Sequence, residues 1–157
     1  EEHSMNKIEF EDDISVVGPF CAADITRGVC RYLRNLECSP LTEFKLLSNR
    51  RVDVIGLDKV SRFIIVEVKS SVTDFRADDK WNEYRDYADQ MYFAVANGFP
   101  LEILPDECGV MVADAYNAVI LREAPTRVVN ASRRRTQVVR FARTAADRLH
   151  RVSDPSF

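Results

Sequence analysis

The sequence has little of what a zinc site or a disulfide-stapled domain needs. It contains only two histidines, which lie near opposite ends of the chain, and four cysteines, none of them spaced as a Cys-x-x-Cys pair. That spacing is typical of structural zinc sites, and a chain of 157 residues can bury enough apolar surface to fold without disulfides. We therefore expect free thiols and a fold that is stabilised by its apolar core.

Long apolar runs are also missing, since none approaches the roughly 20 residues that a membrane span requires. The opening residues Glu1–Met5 lack the basic and apolar regions of a signal peptide. The composition, 46% hydrophobic and 30% charged, is typical of a globular domain. The sequence therefore predicts a cytoplasmic protein without membrane association. We expect a loose acidic lead-in over residues 1–20 and a single domain over residues 21–157.

The charge of the chain is unevenly distributed along its length. Residues 122–157 contain nine arginines against three acids, a balance of +6, whereas the formal net charge of the whole chain is -3. Residues 1–121 therefore carry -9. The mean charge does not suggest a polyanionic partner, but the basic C-terminal segment allows one.

Hydrophobic periodicity predicts an α/β domain. Apolar residues recur every three to four positions where helices are expected, and β-branched runs bounded by polar turns indicate strands. The short turns between the first three strands predict an antiparallel meander, and a hairpin and a basic helix follow the fourth strand. The predicted order is helix 20–36, strands 41–47, 52–57 and 63–69, helix 79–90, strand 91–95, strands 110–113 and 119–121, and a C-terminal helix.

Two neighbouring strands of this meander carry charges within apolar runs. Glu67 and Lys69 end the strand 63–69, and side chains two apart on a strand share a face. Asp53 interrupts the preceding apolar strand, and the gap between the two acids fits one hairpin. If Asp53 lies across from Glu67, two carboxylates and an ammonium group meet, which favours a hard divalent cation between the acids. The alternative is that Glu67 and Lys69 lie at the solvent end of the strand and form ordinary ion pairs.

Asp53 followed by Glu67-Val68-Lys69 resembles the PD-(D/E)XK nuclease superfamily, although Val52 stands where that motif has proline. The segments 51–54, 67–78 and 100–105 more specifically resemble MmcB-like DNA repair proteins, and the likeness extends over residues 25–149. The resemblance implies a restriction-endonuclease-like αβββαβ core with a mixed central sheet, an appended hairpin and a basic C-terminal helix. It also implies that Asp53, Glu67 and the Val68 carbonyl bind Mg²⁺ or Mn²⁺, with Lys69 as the catalytic lysine.

Further residues near the motif are candidates for contact with metal or DNA. Glu43, on the first strand, is either an additional catalytic acid or an exposed ion-pair partner. Lys80 could reach a phosphate or face solvent, and Gln90 either resembles a glutamine that some superfamily members place near the site or caps a helix. Arg51 and Ser70, which flank the acids, are predicted to contact DNA as well.

The strongest basic cluster is Arg133-Arg134-Arg135, directly before the C-terminal helix pattern. Such a run is usually a solvated face, but beside a polyanionic substrate it predicts contacts with phosphate.

The carboxylate pattern and the resemblance together predict a metal-dependent DNA nuclease with DNA as its substrate. The resemblance alone implies a role in DNA repair, with other repair proteins as partners. The alternative is a DNA-binding or scaffold module that has the same fold without cleavage. A third interpretation is a structural domain in which the charges form ordinary ion pairs.

Overall fold

The computed structural model describes residues 21–156, so the predicted lead-in over residues 1–20 lies outside the described residues. The chain forms a mixed α/β fold with one six-stranded sheet. Its elements are α1 (Ala22–Asn35), β1 (Ser39–Lys45), β2 (Arg51–Leu57), β3 (Phe63–Lys69), α2 (Val72–Ala77), α3 (Trp81–Tyr84), β4 (Gln90–Val95), β5 (Gly109–Ala113), β6 (Ala118–Arg122) and α4 (Ala131–Ser153). No helix within residues 21–156 is long and apolar enough to cross a membrane.

The strands lie in the sheet in the order in which they occur in the chain. Strands β1, β2 and β3 pair in antiparallel fashion, which confirms the predicted meander. Strands β3, β4 and β5 are parallel, and β6 returns antiparallel to β5. The predicted hairpin β5–β6 therefore continues the central sheet through its pairing with β4.

Helices cover both faces of the sheet. Helix α1 packs Ile25, Val29 and Leu33 on one face. Its position is fixed where Gly28 meets the turn between β5 and β6 so closely that a Cβ atom would lie 1.8 Å from the Asp114 carbonyl oxygen. The opposite face is covered by α4, whose Phe141 packs against Phe44 and Phe63, and by the α2–α3 segment.

The prediction of a second helix over residues 79–90 was wrong. The chain instead forms α2 between β3 and the start of that predicted helix, where no helix was predicted. The short α3 and a 3₁₀ turn over Arg85–Tyr87 follow, and Gln90 begins β4. Helix α2 starts where the Ser71 hydroxyl accepts a hydrogen bond from the Asp74 N–H. It stops at Asp78, whose backbone is extended. Phe75 and Trp81, on either side of this break, both pack edge-on against Phe93, so core contacts hold the segment without a continuous helix.

An ion pair fastens the start of α4 to the sheet. Arg134 donates hydrogen bonds to both carboxylate oxygens of Asp89, at 2.6 and 2.8 Å, and also to the Ser61 carbonyl. The Asp89 carboxylate additionally accepts from the Phe63 N–H at 2.7 Å, and its side chain is only 7% exposed. Burial alone would raise the pKa of Asp89, but the bonds from Arg134 and Phe63 outweigh it and lower that pKa. We call this ion pair the α4 latch.

Candidate active site

Three acidic residues occupy neighbouring positions in a row across the first three strands. Thr42 and Phe44 pair with Val54 and Val52, so the register places Glu43 across from Asp53. Val54 pairs with Val66, so the same reasoning places Glu67 across from Asp53 on its other side. The sheet therefore brings Glu43, Asp53 and Glu67 together, although they are far apart in sequence.

The main-chain ladder between β2 and β3 ends beside the two inner acids. Beyond Val54–Val66 the side chains replace it, since the Asp53 N–H donates to Glu67 Oε1 at 3.0 Å and the Val68 N–H donates to Asp53 Oδ2 at 2.8 Å. These two crossed hydrogen bonds hold both carboxylates in the gap between the strands. Each acid thereby keeps a fixed orientation relative to the other.

Strand β1 is distorted at the third acid. Glu43 has a φ of 49°, a left-handed conformation that costs a non-glycine residue about 1–2 kcal/mol. Leu41 and Phe44, three apart, pack on the same face of the sheet, so the alternation of the strand breaks between them. Strained backbone conformations cluster at functional sites, and this one lies across from Asp53.

Glu43 forms its ion pair and its main-chain hydrogen bond with arginines, and not with Asp53 or Glu67. Its carboxylate pairs with Arg51 at 3.0 Å with both side chains more than half exposed, and its carbonyl accepts a bond from Arg148 at 2.9 Å. Both alternatives for Glu43 thus have support, because the exposed ion pair is present and yet the residue lines the same cleft as Asp53.

Lys69 lies on the same strand and face as Glu67, but its ammonium group is bound elsewhere. Its Nζ lies 2.6 Å from Asp78 Oδ2, and both side chains are nearly buried. Burial would lower the pKa of Lys69, but the hydrogen bond and charge of Asp78, with smaller contributions from Asp74 and Glu67, raise it overall. Lys69 is therefore held in its charged form beside the acids.

The two inner carboxylates are poorly hydrated and repel each other. Glu67 is 4% exposed, and burial together with the charge of Asp53 raises the pKa of Glu67 to about 8. Burial also raises the pKa of Asp53, with a smaller contribution from Glu43, against the hydrogen bond from Val68 and the charge of Lys69. The pair is therefore costly to ionise without an additional positive charge.

A cleft of about 530 Å³ opens over this pair. One side of it is formed by the first turn of α1, including Ala22, Ala23 and Thr26, and the other by the start of α2, including Asp74. The first turn of a helix has backbone N–H groups without intrahelical partners, and such groups favour anionic ligands.

Sequence reasoning did not single out Asp74 or Asp78 as site residues. Asp74 lines the cleft and accepts a hydrogen bond from the Ser70 N–H at 3.3 Å, so exposed Ser70 borders the site through its main chain. The pairing of Asp78 with Lys69 depends on how α2 ends. The capping pattern of Ser71 and Asp74 was the available signal, but it predicts only that a helix starts there and not where that helix packs.

The other predicted DNA-contacting residues divide into two groups. Exposed Arg51 and Lys80 line a second cleft that shares Glu43 and Asp53 with the first. Gln90 does not lie there: it pairs with Ile64, three residues before Glu67 on β3, and its amide donates to the Ala124 carbonyl.

The predicted arginine cluster also separates into different environments. Arg134 is committed to the α4 latch, so its role as a DNA contact is corrected to a structural one. Arg133 stacks over the Tyr87 ring at 4.5 Å and donates to the Asp86 carbonyl. Arg135 is exposed.

We expect the carboxyl pair to make the metal-free protein less stable as the pH rises. The folded-state pKa of Glu67, about 8, lies above the ordinary value of 4.5, so the folded protein retains a proton that the unfolded chain releases. Stability therefore falls between these two values, by at most about 1.4 kcal/mol per pH unit. Glu67→Gln keeps an oxygen that accepts the hydrogen bond from the Asp53 N–H, and it removes the carboxyl group that titrates. Urea unfolding in chelator at pH 5 and pH 8 should show a smaller pH-dependent loss in the variant, and equal losses would contradict the expectation.

Comparison with known proteins adds two findings. The chain matches a family model described as DNA repair protein MmcB-like over residues 16–156. It is also similar to a solved structure of a protein of unknown function from Silicibacter pomeroyi, with 39% sequence identity and a TM-score of 0.82, covering 89% of this chain and 94% of that chain. The search of curated proteins found no match.

Proposed function

This chain belongs to the MmcB-like family of DNA repair proteins, and from that premise we propose that it is a metal-dependent DNA nuclease of the PD-(D/E)XK type. The observation that carries the proposal is the pair of fixed, buried carboxylates of Asp53 and Glu67 beneath an open cleft. The order of α1, three antiparallel strands, a helical segment and a parallel fourth strand agrees with the restriction-endonuclease-like core that this proposal requires.

The residues present fit a hard divalent cation such as Mg²⁺ or Mn²⁺. Each inner carboxylate accepts a hydrogen bond from a main-chain N–H, and the two carboxyl groups also hydrogen-bond to each other, so a cation between them would replace the proton that they share. Mg²⁺ prefers one or two carboxylates with water and phosphate oxygens completing its shell. No group of three or more His, Cys, Asp or Glu in the described part of the chain could hold a metal, so main-chain and substrate oxygens would complete the shell.

In this proposal Asp53, Glu67 and the Val68 carbonyl hold the cation. When bound, the cation supplies an activated water and neutralises charge on the phosphodiester. The chain itself contributes the charge of Lys69, which Asp78 keeps protonated near the reacting phosphate, and the N–H groups at the start of α1. Both act on negative charge that grows as the phosphodiester is attacked.

One observation favours the alternative, a DNA-binding or scaffold module that does not cleave. The Lys69 ammonium is bound at 2.6 Å to Asp78, so it must leave or share that partner to act on a water or a phosphate. A protein of this kind would bind DNA and other repair proteins through the same surface, and it would not hydrolyse the DNA.

The two functions are separated by incubating the full chain with single-stranded, flapped, nicked and duplex DNA in Mg²⁺, Mn²⁺ or chelator. We expect cleavage of at least one substrate with either metal, and none in chelator. Glu67→Ala is the control for contaminating nuclease and should be inactive. Binding of DNA without cleavage under all these conditions would favour the scaffold alternative.

A further inference from the structure

A second cleft begins beside the acids and leads away from them. It has a volume of about 350 Å³ and shares Glu43 and Asp53 with the cleft over the carboxylate pair. Its other walls are the turn between β1 and β2 and the start of α3, which contribute Arg50, Arg51 and Lys80. The side of the active site that faces this turn is therefore cationic.

The cationic surface continues to the start of α4. There, a pocket of about 210 Å³ is lined by Arg85, Arg127 and Arg133; we call it the arginine pocket. A small depression of about 10 Å³, lined by Leu47, Tyr87 and Arg140, also includes Arg133, so it adjoins the arginine pocket directly.

The β1–β2 turn and the α3–3₁₀ segment connect the second cleft with the depression beside the arginine pocket. Leu47 of the depression and Asn49 of the second cleft lie on the same turn, and Tyr84 and Tyr87 lie on the same short helical segment. Together the second cleft, the depression and the arginine pocket form what we call the basic track. The track is lined by seven cationic residues, Arg50, Arg51, Lys80, Arg85, Arg127, Arg133 and Arg140.

The acids in the linings do not balance these cations. Glu43 and Asp53 belong to the active-site end, and Asp86 is the one acid lining the arginine pocket among the described residues. Asp86 pairs with Arg127 at 3.4 Å, and both side chains are about half exposed, so this ion pair contributes little to stability. Arg50 and Arg51 are also held in ion pairs, with Glu83 and Glu43. Within residues 21–156 the other cations of the track have no carboxylate partner and can bind another anion; they are Lys80, Arg85, Arg133 and Arg140.

Arg133 is positioned in a way that suits phosphate. Its guanidinium stacks on Tyr87 at 4.5 Å and uses one N–H on the Asp86 carbonyl, which leaves further donors of its five available. It also lies in the first turn of α4, which contains no acid. A cation at a helix N-terminus is electrostatically unfavourable by itself, and an anion beside it removes that penalty.

We infer that a DNA strand leaving the carboxylate cleft follows the basic track and is anchored by its backbone phosphates in the arginine pocket. The inference rests on the proposed action on DNA, but it does not require cleavage. Contacts of this kind fix the position of the strand without reading its sequence. The arginine pocket would therefore set the length of DNA on one side of the acids that the protein needs for tight binding.

The test compares two double variants that lose the same charge. Arg85→Gln with Arg127→Gln alters the arginine pocket, and Arg31→Gln with Arg34→Gln alters the exposed surface of α1, which covers the other face of the sheet. Anisotropy of labelled single strands and duplexes of increasing length, in chelator to prevent cleavage, gives the affinity at each length. Thermal melting checks that both variants are folded.

We expect the wild type and the α1 variant to gain affinity once the DNA is long enough to reach the arginine pocket. The pocket variant should lack that gain while still binding short DNA like the wild type. Its slope of log K against log salt on long DNA should be lower by about 0.7 per lost contact for single strands and 0.9 for duplex.

Two results would overturn the inference. The first would leave the proposed function intact, and the second would contradict it as well. If both double variants weaken binding equally at every length, DNA binds through diffuse charge and the track is wrong, whereas the proposed function stands. If the wild type binds no DNA of any structure or length, the proposed action on DNA fails together with the track.

Discussion

Glu67→Gln is expected to reduce metal-dependent DNA cleavage by at least about 10²-fold and to abolish the stabilisation by Mg²⁺ or Mn²⁺ that we expect for the wild type. The amide keeps the oxygen that accepts from the Asp53 N–H, so the crossed hydrogen bonds of the site can persist. It cannot supply the negative charge that a divalent cation requires. Melting temperatures with metal and with chelator, together with cleavage rates, measure both effects.

A matched carboxylate elsewhere separates this site from a general loss of charge. Glu37 forms an exposed ion pair with Lys59, so Glu37→Gln removes one charge without touching the cleft and should leave metal binding and cleavage unchanged. Lys69→Met should still be stabilised by metal but cleave slowly, because it removes the ammonium and retains the carboxylates. If Glu67→Gln responds to metal as Glu37→Gln does, the carboxylate pair does not bind the cation.

The strands that carry these residues could be predicted from the sequence because their patterns are local. The bounds of β3 agree with the run Phe63–Lys69, and the polar turns on either side of β2 set the antiparallel register. Since side chains alternate along a strand, the shared face of Glu67 and Lys69 also followed from spacing alone. The proximity of Asp53 to Glu67 then required only that the hairpin have the expected register.

The partners of the site could not be predicted in the same way, because they depend on where the chain returns after β3. The ion pair of Lys69 with Asp78 exists because Phe75 and Trp81 both pack on Phe93 and so fold the α2–α3 segment back against the sheet. The left-handed backbone of Glu43 has no signal in the sequence, since it reflects a distortion of β1 across from Asp53.

The same limit applies to the arginine run, whose three members look alike in sequence. Helical geometry directs each side chain differently, so Arg134 reaches buried Asp89, Arg133 lies over Tyr87, and Arg135 is exposed. Charge patterning predicted a basic surface at this end of the chain. It could not predict which arginine is required for folding.

Arg134→Ala is expected to lower the free energy of unfolding by about 2–3 kcal/mol at neutral pH, and the melting temperature by roughly 5–10 °C. Breaking a fully buried ion pair costs about 3–5 kcal/mol, and the cost is smaller here because solvent screens the Arg134 side chain, which is 22% exposed. The substitution leaves the Asp89 carboxylate buried without its cationic partner, with only the main-chain N–H groups of Phe63 and Val129 as donors, and removes the donor to the Ser61 carbonyl. Urea unfolding of the full chain measures the change.

Two controls, the substitution of Arg135 and the pH dependence of stability, identify why Arg134→Ala is less stable. Arg135→Ala removes the same charge from an exposed position and should change stability by less than about 0.5 kcal/mol. The pKa of Asp89 is lowered in the folded protein, so the latch stabilises the protein above the ordinary carboxyl value and loses this effect as the pH falls through the lowered pKa. The difference between wild type and Arg134→Ala should therefore be full at neutral pH and shrink in acid. A difference that stays constant down to that pH would mean that Arg134 stabilises the fold by packing its side chain, and not by its charge on Asp89.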